Sequence, residues 1–231
     1  MPTFNDYERQ IDDDAIQRGE HRGWVGGLWE EMGRLQLEFL RSQGLQPHHS
    51  LLDVGCGALR GGIRFVEFLE PGQYAGLDIN QSLINAGYHE LELAGLELKQ
   101  ARLLVDPEFN VSRFGTQFDF VIAQSVFSHL PVNHICECLL NVAKVLKPDG
   151  RFFATFFEAP HPVHVEPITH APGGVVTRYG KDPFHYSVAE FQWMADNCGL
   201  AVRHIGDWSH PRDQRMLVFT PRHGVHDAGG S

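Results

Sequence analysis

The sequence predicts a doubly wound α/β domain: a seven-stranded sheet, a C-terminal antiparallel hairpin and a helical cap near the N-terminus. Three observations carry that expectation. Apolar runs of strand length alternate with segments of helical period from about residue 50 onward, the pattern of a parallel sheet with crossover helices. The first of those runs leads straight into closely spaced glycines. The last two runs are joined by a short connection, which suits an antiparallel pair closing the sheet.

Residues 1–22 are polar, carry the acidic triplet Asp12, Asp13 and Asp14, and show no periodic apolar face; a loosely ordered arm is expected there. From Leu28 the apolar positions Leu28, Met32, Leu35 and Phe39 fall on one helical stripe, so residues 1–47 read as an arm and a cap helix. Residues 50–54 form a short buried strand and 61–69 the helix after it. A second strand, 74–77, ends in Asp78 and is followed by a helix through Leu83, Gly87, Leu91 and Ala94. A third strand lies within 98–105.

Residues 118–123 are the clearest strand, and Val132, Ile135, Leu139, Val142 and Leu146 place the next segment on a helix. Lys147-Pro148-Asp149-Gly150 should stop it, and 151–157 is the fifth strand. Between residues 158 and 186 the pattern breaks, with five prolines and four histidines. A long unpatterned stretch in a compact domain is usually functional or mobile, so a pocket for the molecule the protein acts on is expected there. A capping box, Ser187 to Glu190, opens a helix that Gly199 ends. Strands at 201–208 and 215–220 complete the main domain, 48–221, and residues 222–231 read as a flexible tail.

With 231 residues the chain suits one well-buried domain. Its 19 Lys and Arg against 29 Asp and Glu give a net charge of −10, which argues against nucleic-acid or anionic-membrane partners. The polar N-terminus has no secretory apolar stretch, so a cytoplasmic location is expected; the oligomeric state is not legible. Cys56, Cys136, Cys138 and Cys198 form no CxxC pair. His161, His164 and His170 lie close along the chain, but their Pro-rich setting supplies no regular element to preorganise ligands, and no metal site is expected.

Leu51-Leu52-Asp53-Val54-Gly55-Cys56-Gly57 puts a strand directly before a glycine turn, where backbone amides can cradle a ligand. Asp78 follows Gly57 by 21 residues, at the end of the second strand, where a carboxylate can accept from both hydroxyls of a ribose. Taken together, LLDVGCG, YAGLDIN, FDFVIAQSVFSHL and LLNVAKVLKPDGRFFATF resemble the four ordered motifs of the class I S-adenosylmethionine-dependent methyltransferases. The resemblance covers residues 51–157 closely and continues more loosely to about 221.

That resemblance implies a Rossmann-like fold, S-adenosylmethionine as cofactor, and methyl transfer to a small-molecule acceptor. It implies that Asp53, Gly55, Cys56 and Gly57 form the loop under the methionine part, with Asp78 on the ribose and Ile79 against adenine. Asp106 would sit near the adenine amino group, with Glu108 as the alternative. Gln124 and Ser125 would stand beside the reaction centre. The chain departs from the pattern at Leu59, where many members carry a third glycine. Arg60 beside it either reaches the cofactor carboxylate or is a solvated helix-start residue.

A sulfonium methyl is already activated, so the protein must chiefly align acceptor, methyl and sulfur and exclude water. A hydroxyl acceptor must also lose its proton, which a neutral histidine can take. His129, between the fourth strand and the next helix, is the first candidate; its alternative role is to cap or pack that helix. His161, His164, His185 and His210 stand in reserve, with Tyr179 and Tyr186 as acceptor-positioning groups. Trp24 and Trp29 either form a lid or anchor the first helix. A hydroxyl of a sugar or secondary metabolite is the preferred acceptor and a small amine the alternative. Two other classes stay open: an NAD-dependent oxidoreductase, opposed by the lack of a Tyr-x-x-x-Lys pair and by the closing hairpin, and a non-catalytic cofactor-binding scaffold.

Overall fold

The computed structural model describes residues 9–222. Seven strands form one sheet: β1 (Leu51–Val54), β2 (Tyr74–Asp78), β3 (Arg102–Val105), β4 (Phe118–Ala123), β5 (Leu146–Phe156), β8 (Leu200–Gly206) and β9 (Arg215–Pro221). Their order is β3-β2-β1-β4-β5-β9-β8. The first five run parallel, and β9 runs antiparallel to both β5 and β8. The order reverses between β1 and β4, so the carboxyl ends of those strands flank a crevice where ligands of such sheets bind.

Helices cover both faces. Strand residues alternate between two cores, as a pleat of period two requires. Val121 and Ala123 of β4, with Phe152 and Ala154 of β5, face the helices α6 (Val132–Val145) and α7 (Val188–Asn197). Phe120, Ile122 and Phe153 point the other way, against α3 (Trp29–Ser42), α4 (Gly62–Phe68) and α5 (Gln81–Leu93). The capping box is present, with Ser187 Oγ accepting from the Glu190 amide and the Glu190 carboxylate accepting from the Ser187 amide. Gly199 follows at φ +72°.

Four expectations need correction. The front arm is not loose over residues 9–22: α1 (Asp13–Gln17), N-capped by Asp12, and α2 (His21–Trp24) are formed. Ile11, Ala15 and Ile16 are buried on Ala58, Leu83 and Ala86, and the Ile11 amide donates to Ser82 Oγ at 2.9 Å. Three apolar residues suffice to dock a two-turn segment, but they are too few to register as a periodic face. Strand β5 starts at Leu146, so Lys147–Gly150 lies within it; a register shift on the β4 side absorbs the extra residues. The 158–186 stretch holds a small antiparallel sheet, β6 (Ile168–His170) with β7 (Val175–Thr177). Leu28, the first member of the predicted stripe, is exposed and left-handed at φ 50°, before the helix begins. The tail expected beyond Arg222 lies outside the described residues, and no helix among the described residues is long and apolar enough to cross a membrane.

A buried polar clasp ties the front segment to the sheet domain. Glu90 of α5 accepts from His21 Nε2 and from Arg22 Nε and Nη2, each at 2.7 Å, while the Arg22 guanidinium lies 5.0 Å from the Trp29 ring centre. Burial alone would push the Glu90 carboxyl up, but these donors outweigh it and hold it down at about 2. A carboxylate depressed in the folded state stabilises above its unfolded value and loses that contribution as pH falls through the folded one. Stability is therefore expected to decline between about pH 4.5 and 2. Glu90→Ala, which strands a buried imidazole and a guanidinium, should cost roughly 3 kcal/mol near neutral pH and flatten that acid limb. Denaturant titration across pH reads both effects.

Candidate functional site

One cavity of about 280 Å³ opens at the carboxyl ends of β1, β2 and β4, and its roof includes Trp24, Val25 and Gly26 of the front segment. The glycine turn forms its floor. Gly55 (φ +69°) and Gly57 (φ +54°) take the left-handed region, and a Cβ at Gly55 would lie 2.5 Å from Val126 Cγ2. Only glycine fits there, and the close backbone is what lets a ligand approach.

Leu59, where the resemblance expects glycine, also adopts a left-handed conformation, at φ 67°. The loop thus keeps its path with a residue that disfavours it by about 1 kcal/mol. Glycines elsewhere make room for the leucine: a Cβ on Gly62 would meet Leu59 Cδ2 at 2.7 Å, and one on Gly87 would meet its Cγ at 2.9 Å.

Asp78 holds this floor in place. Its Oδ2 accepts from the Gly57 amide at 2.8 Å and its Oδ1 from the Asn80 amide at 2.9 Å. The carboxylate keeps acceptor capacity for a ligand hydroxyl. Burial raises the Asp78 carboxyl, with the Asn80, Gly57 and Ile79 amides opposing it. Asp53 is deeper; burial pushes it up to about 7 although the Tyr74 hydroxyl donates to its Oδ2 at 2.9 Å. Cys56, Ile79, Leu77 and Leu83 complete this half of the wall.

Asp106 does not reach the cavity wall. Its Oδ1 accepts from the Glu108 and Asn110 amides, at 2.9 and 3.1 Å, and its Oδ2 pairs with Arg113 at 2.9 Å. From that loop it is Phe109, buried at φ 52°, that lines the cavity. Glu108 is exposed.

Gln124 and Ser125 stand at the opposite end. Ser125 is left-handed at φ 59°; its amide donates to Thr155 Oγ1 at 2.7 Å, and both hydroxyls converge on Gln214 Oε1, at 3.0 and 2.6 Å. Gln124 Oε1 accepts from Arg60 Nη2 at 2.7 Å, and Arg60 Nη1 donates to the carbonyls of Val25 and Gly27. Arg60 is therefore neither a solvated helix-start residue nor idle: it fastens the roof to the β4 end.

His129 lines the same cavity, with its Nδ1 2.5 Å from Asp182 Oδ1. Such a carboxylate fixes the tautomer and orientation of an imidazole. His210 is buried beside Gln124, and its Nδ1 accepts from the Arg212 amide at 3.1 Å. Burial, with Arg60 and Arg212 nearby, lowers it to about 4, so the ring is neutral. Four other candidate histidines lie away from the wall: His185 and buried His170 both meet the Thr177 hydroxyl, at 2.8 and 2.9 Å, and His161 and His164 stand together on the exposed insertion. Among the described residues, no group of three His, Cys, Asp or Glu side chains is placed to hold a metal ion. Tyr186 is buried with its hydroxyl on the Leu130 carbonyl at 2.7 Å, and Tyr179 packs against its ring. Trp24 roofs the cavity, whereas Trp29 packs in the front core.

Sequence reasoning missed Gln36, Phe109, Arg212 and Gln214, which line the cavity, and Asp182, which meets His129. Each sits outside the four motifs and reaches the site only through the tertiary fold. The dense polar turn between the last two strands was the one signal pointing to Arg212 and Gln214.

The methyltransferase-domain family profile matches residues 52–152. The demethylmenaquinone methyltransferase of Bacillus cereus is 28% identical over 49% of this chain and 47% of its own length. The ubiquinone biosynthesis O-methyltransferase of Nitrosococcus oceani is 28% identical over 68% of this chain and 67% of its own. The chain thus matches about half to two thirds of the length of these curated relatives. The CcbJ methyltransferase of Streptomyces caelestis shares the fold at a TM-score of 0.68, with 15% identity, covering 95% of this chain and 99% of that one. In its matched domain and its strand order, the chain is similar to the class I S-adenosylmethionine-dependent methyltransferases.

Proposed function

We propose that this chain transfers the methyl group of S-adenosylmethionine to a hydroxyl of a small molecule, a sugar or secondary metabolite. The observation that carries this reading is one cavity with two chemically distinct ends: a glycine floor braced by Asp78, and a His129–Asp182 pair. Asp78 would accept from the ribose hydroxyls, with Ile79, Leu83 and Phe109 enclosing the adenine. Asp53, Cys56 and the turn amides would surround the methionine part. The cofactor supplies an electrophilic methyl on a positively charged sulfur.

His129 would take the acceptor's proton as oxygen attacks the methyl carbon and the carbon–sulfur bond breaks, with the leaving sulfur becoming neutral. Asp182 would hold the imidazole in the accepting tautomer and stabilise the imidazolium that forms. A hydroxyl needs this help more than an amine does, which is why the His–Asp pair favours oxygen. The O-methyltransferase relative supports the same choice. Incubation with methyl-labelled cofactor and a panel of matched alcohols and amines tests it. Label is expected on the alcohols; label on amines alone, or on none, would overturn the reading in favour of N-methylation or a non-catalytic scaffold.

A further inference from the structure

We propose that the acceptor carries an anionic group, a carboxylate or a phosphate, and that Arg212 and Gln214 bind it. This rests on the acceptor end of the cavity assigned above. Arg212 lies in the β8–β9 connection, where three parts of the chain converge. Its Nη2 donates to the Gly26 carbonyl of the roof at 2.6 Å, and its Cα lies 2.7 Å from where a Cβ on Gly173 of the insertion would stand. The side chain lines the cavity.

The charge on Arg212 is not matched. Among the described residues it forms no ion pair, and the nearby carboxylates are committed elsewhere. Asp213 pairs with Arg215 at 2.9 Å and faces His170 at 3.7 Å, Asp207 lies 3.8 Å from Arg215, and Asp182 holds His129. A guanidinium cannot shed its proton to relieve this. A neutral carbonyl satisfies one of its donors but not its charge. In a chain of net charge −10, an unpaired cation kept on a cavity wall is a recognition element for an anion.

Gln214 supplies a second donor. Its Oε1 is taken by the hydroxyls of Ser125 and Thr155, which leaves its amide nitrogen for the cavity it lines. A planar fork and an adjacent NH₂ suit two or three oxygens of one anion. Because the same guanidinium also holds the Gly26 carbonyl, an anion bound there would be tied to the roof as well.

Calorimetry on protein saturated with S-adenosylhomocysteine tests this, using matched probes: 3-hydroxybenzoate against 3-hydroxybenzamide, 3-hydroxydecanoate against its amide, and glucose 6-phosphate against glucose. At least one anion should bind about tenfold or more tighter than its neutral partner. Arg212→Met should abolish the preference, Arg212→Lys should retain part of it, and both should keep affinity for S-adenosylhomocysteine. Carboxylate and phosphate arms separate the two sources of charge. Equal binding within every pair, binding of no probe, or a parallel loss of S-adenosylhomocysteine affinity in Arg212→Met would overturn the inference. Absence of S-adenosylhomocysteine binding to the unmutated protein would instead overturn the function on which it rests.

Discussion

Asp78→Ala is expected to weaken S-adenosylhomocysteine binding by at least about 100-fold, roughly 3 kcal/mol. The carboxylate has two tasks. It braces the Gly57 and Asn80 amides, and its remaining lone pairs would accept from the two ribose hydroxyls, each a charge-assisted hydrogen bond of about 1.5–3 kcal/mol. Alanine removes both the ligand contacts and the brace that sets the turn. Unfolding should not accompany the loss, because deleting a buried carboxylate also removes its desolvation penalty. Asp78→Asn, which keeps one acceptor, should fall between alanine and the native residue. Isothermal titration with a parallel denaturation curve separates the effects; undiminished affinity in Asp78→Ala would mean that the adenosyl group lies elsewhere.

The second large effect concerns proton removal. His129→Ala is expected to lower kcat by about 10²–10⁴-fold while leaving S-adenosylhomocysteine affinity within about twofold, the range seen when a general base is deleted. Asp182→Asn should lower kcat by a smaller factor, because the imidazole would lose the carboxylate that fixes its tautomer and orientation. A purely structural His129, capping the start of α6, predicts something else: lost stability with little change in kcat. Rates and denaturation curves measured for the two variants therefore tell base from brace.

Most of the sheet was legible in the sequence because buried parallel strands are near-continuous apolar runs, and residues 51–54, 74–78 and 118–123 have that character. The cavity floor was legible for a related reason. A glycine turn and a strand-end carboxylate are local features whose spacing survives in one dimension, and Gly55, Gly57 and Asp78 meet as expected.

The opposite end of the cavity was less legible. His129 could be placed near it because it follows β4 directly, but its partner Asp182 lies 53 residues away on an insertion with no period to read. Arg212 and Gln214 come from the far side of the sheet, brought in only because β9 pairs antiparallel with β5. The front arm was misread since its docking depends on Glu90, a single buried carboxylate on α5 that meets His21 and Arg22. Asp106 resembles a ligand residue by position, yet its oxygens are taken by its own loop and by Arg113.

The central claim is that the floor of this cavity, Gly55 to Gly57 with Asp78, is an adenosyl-sulfonium site. Titrating cofactor-stripped protein with S-adenosylhomocysteine tests it most directly. One equivalent should bind with micromolar-scale affinity, about −8 kcal/mol, and Asp78→Ala should remove the signal. No heat from the native protein, or the same heat from both, would contradict it.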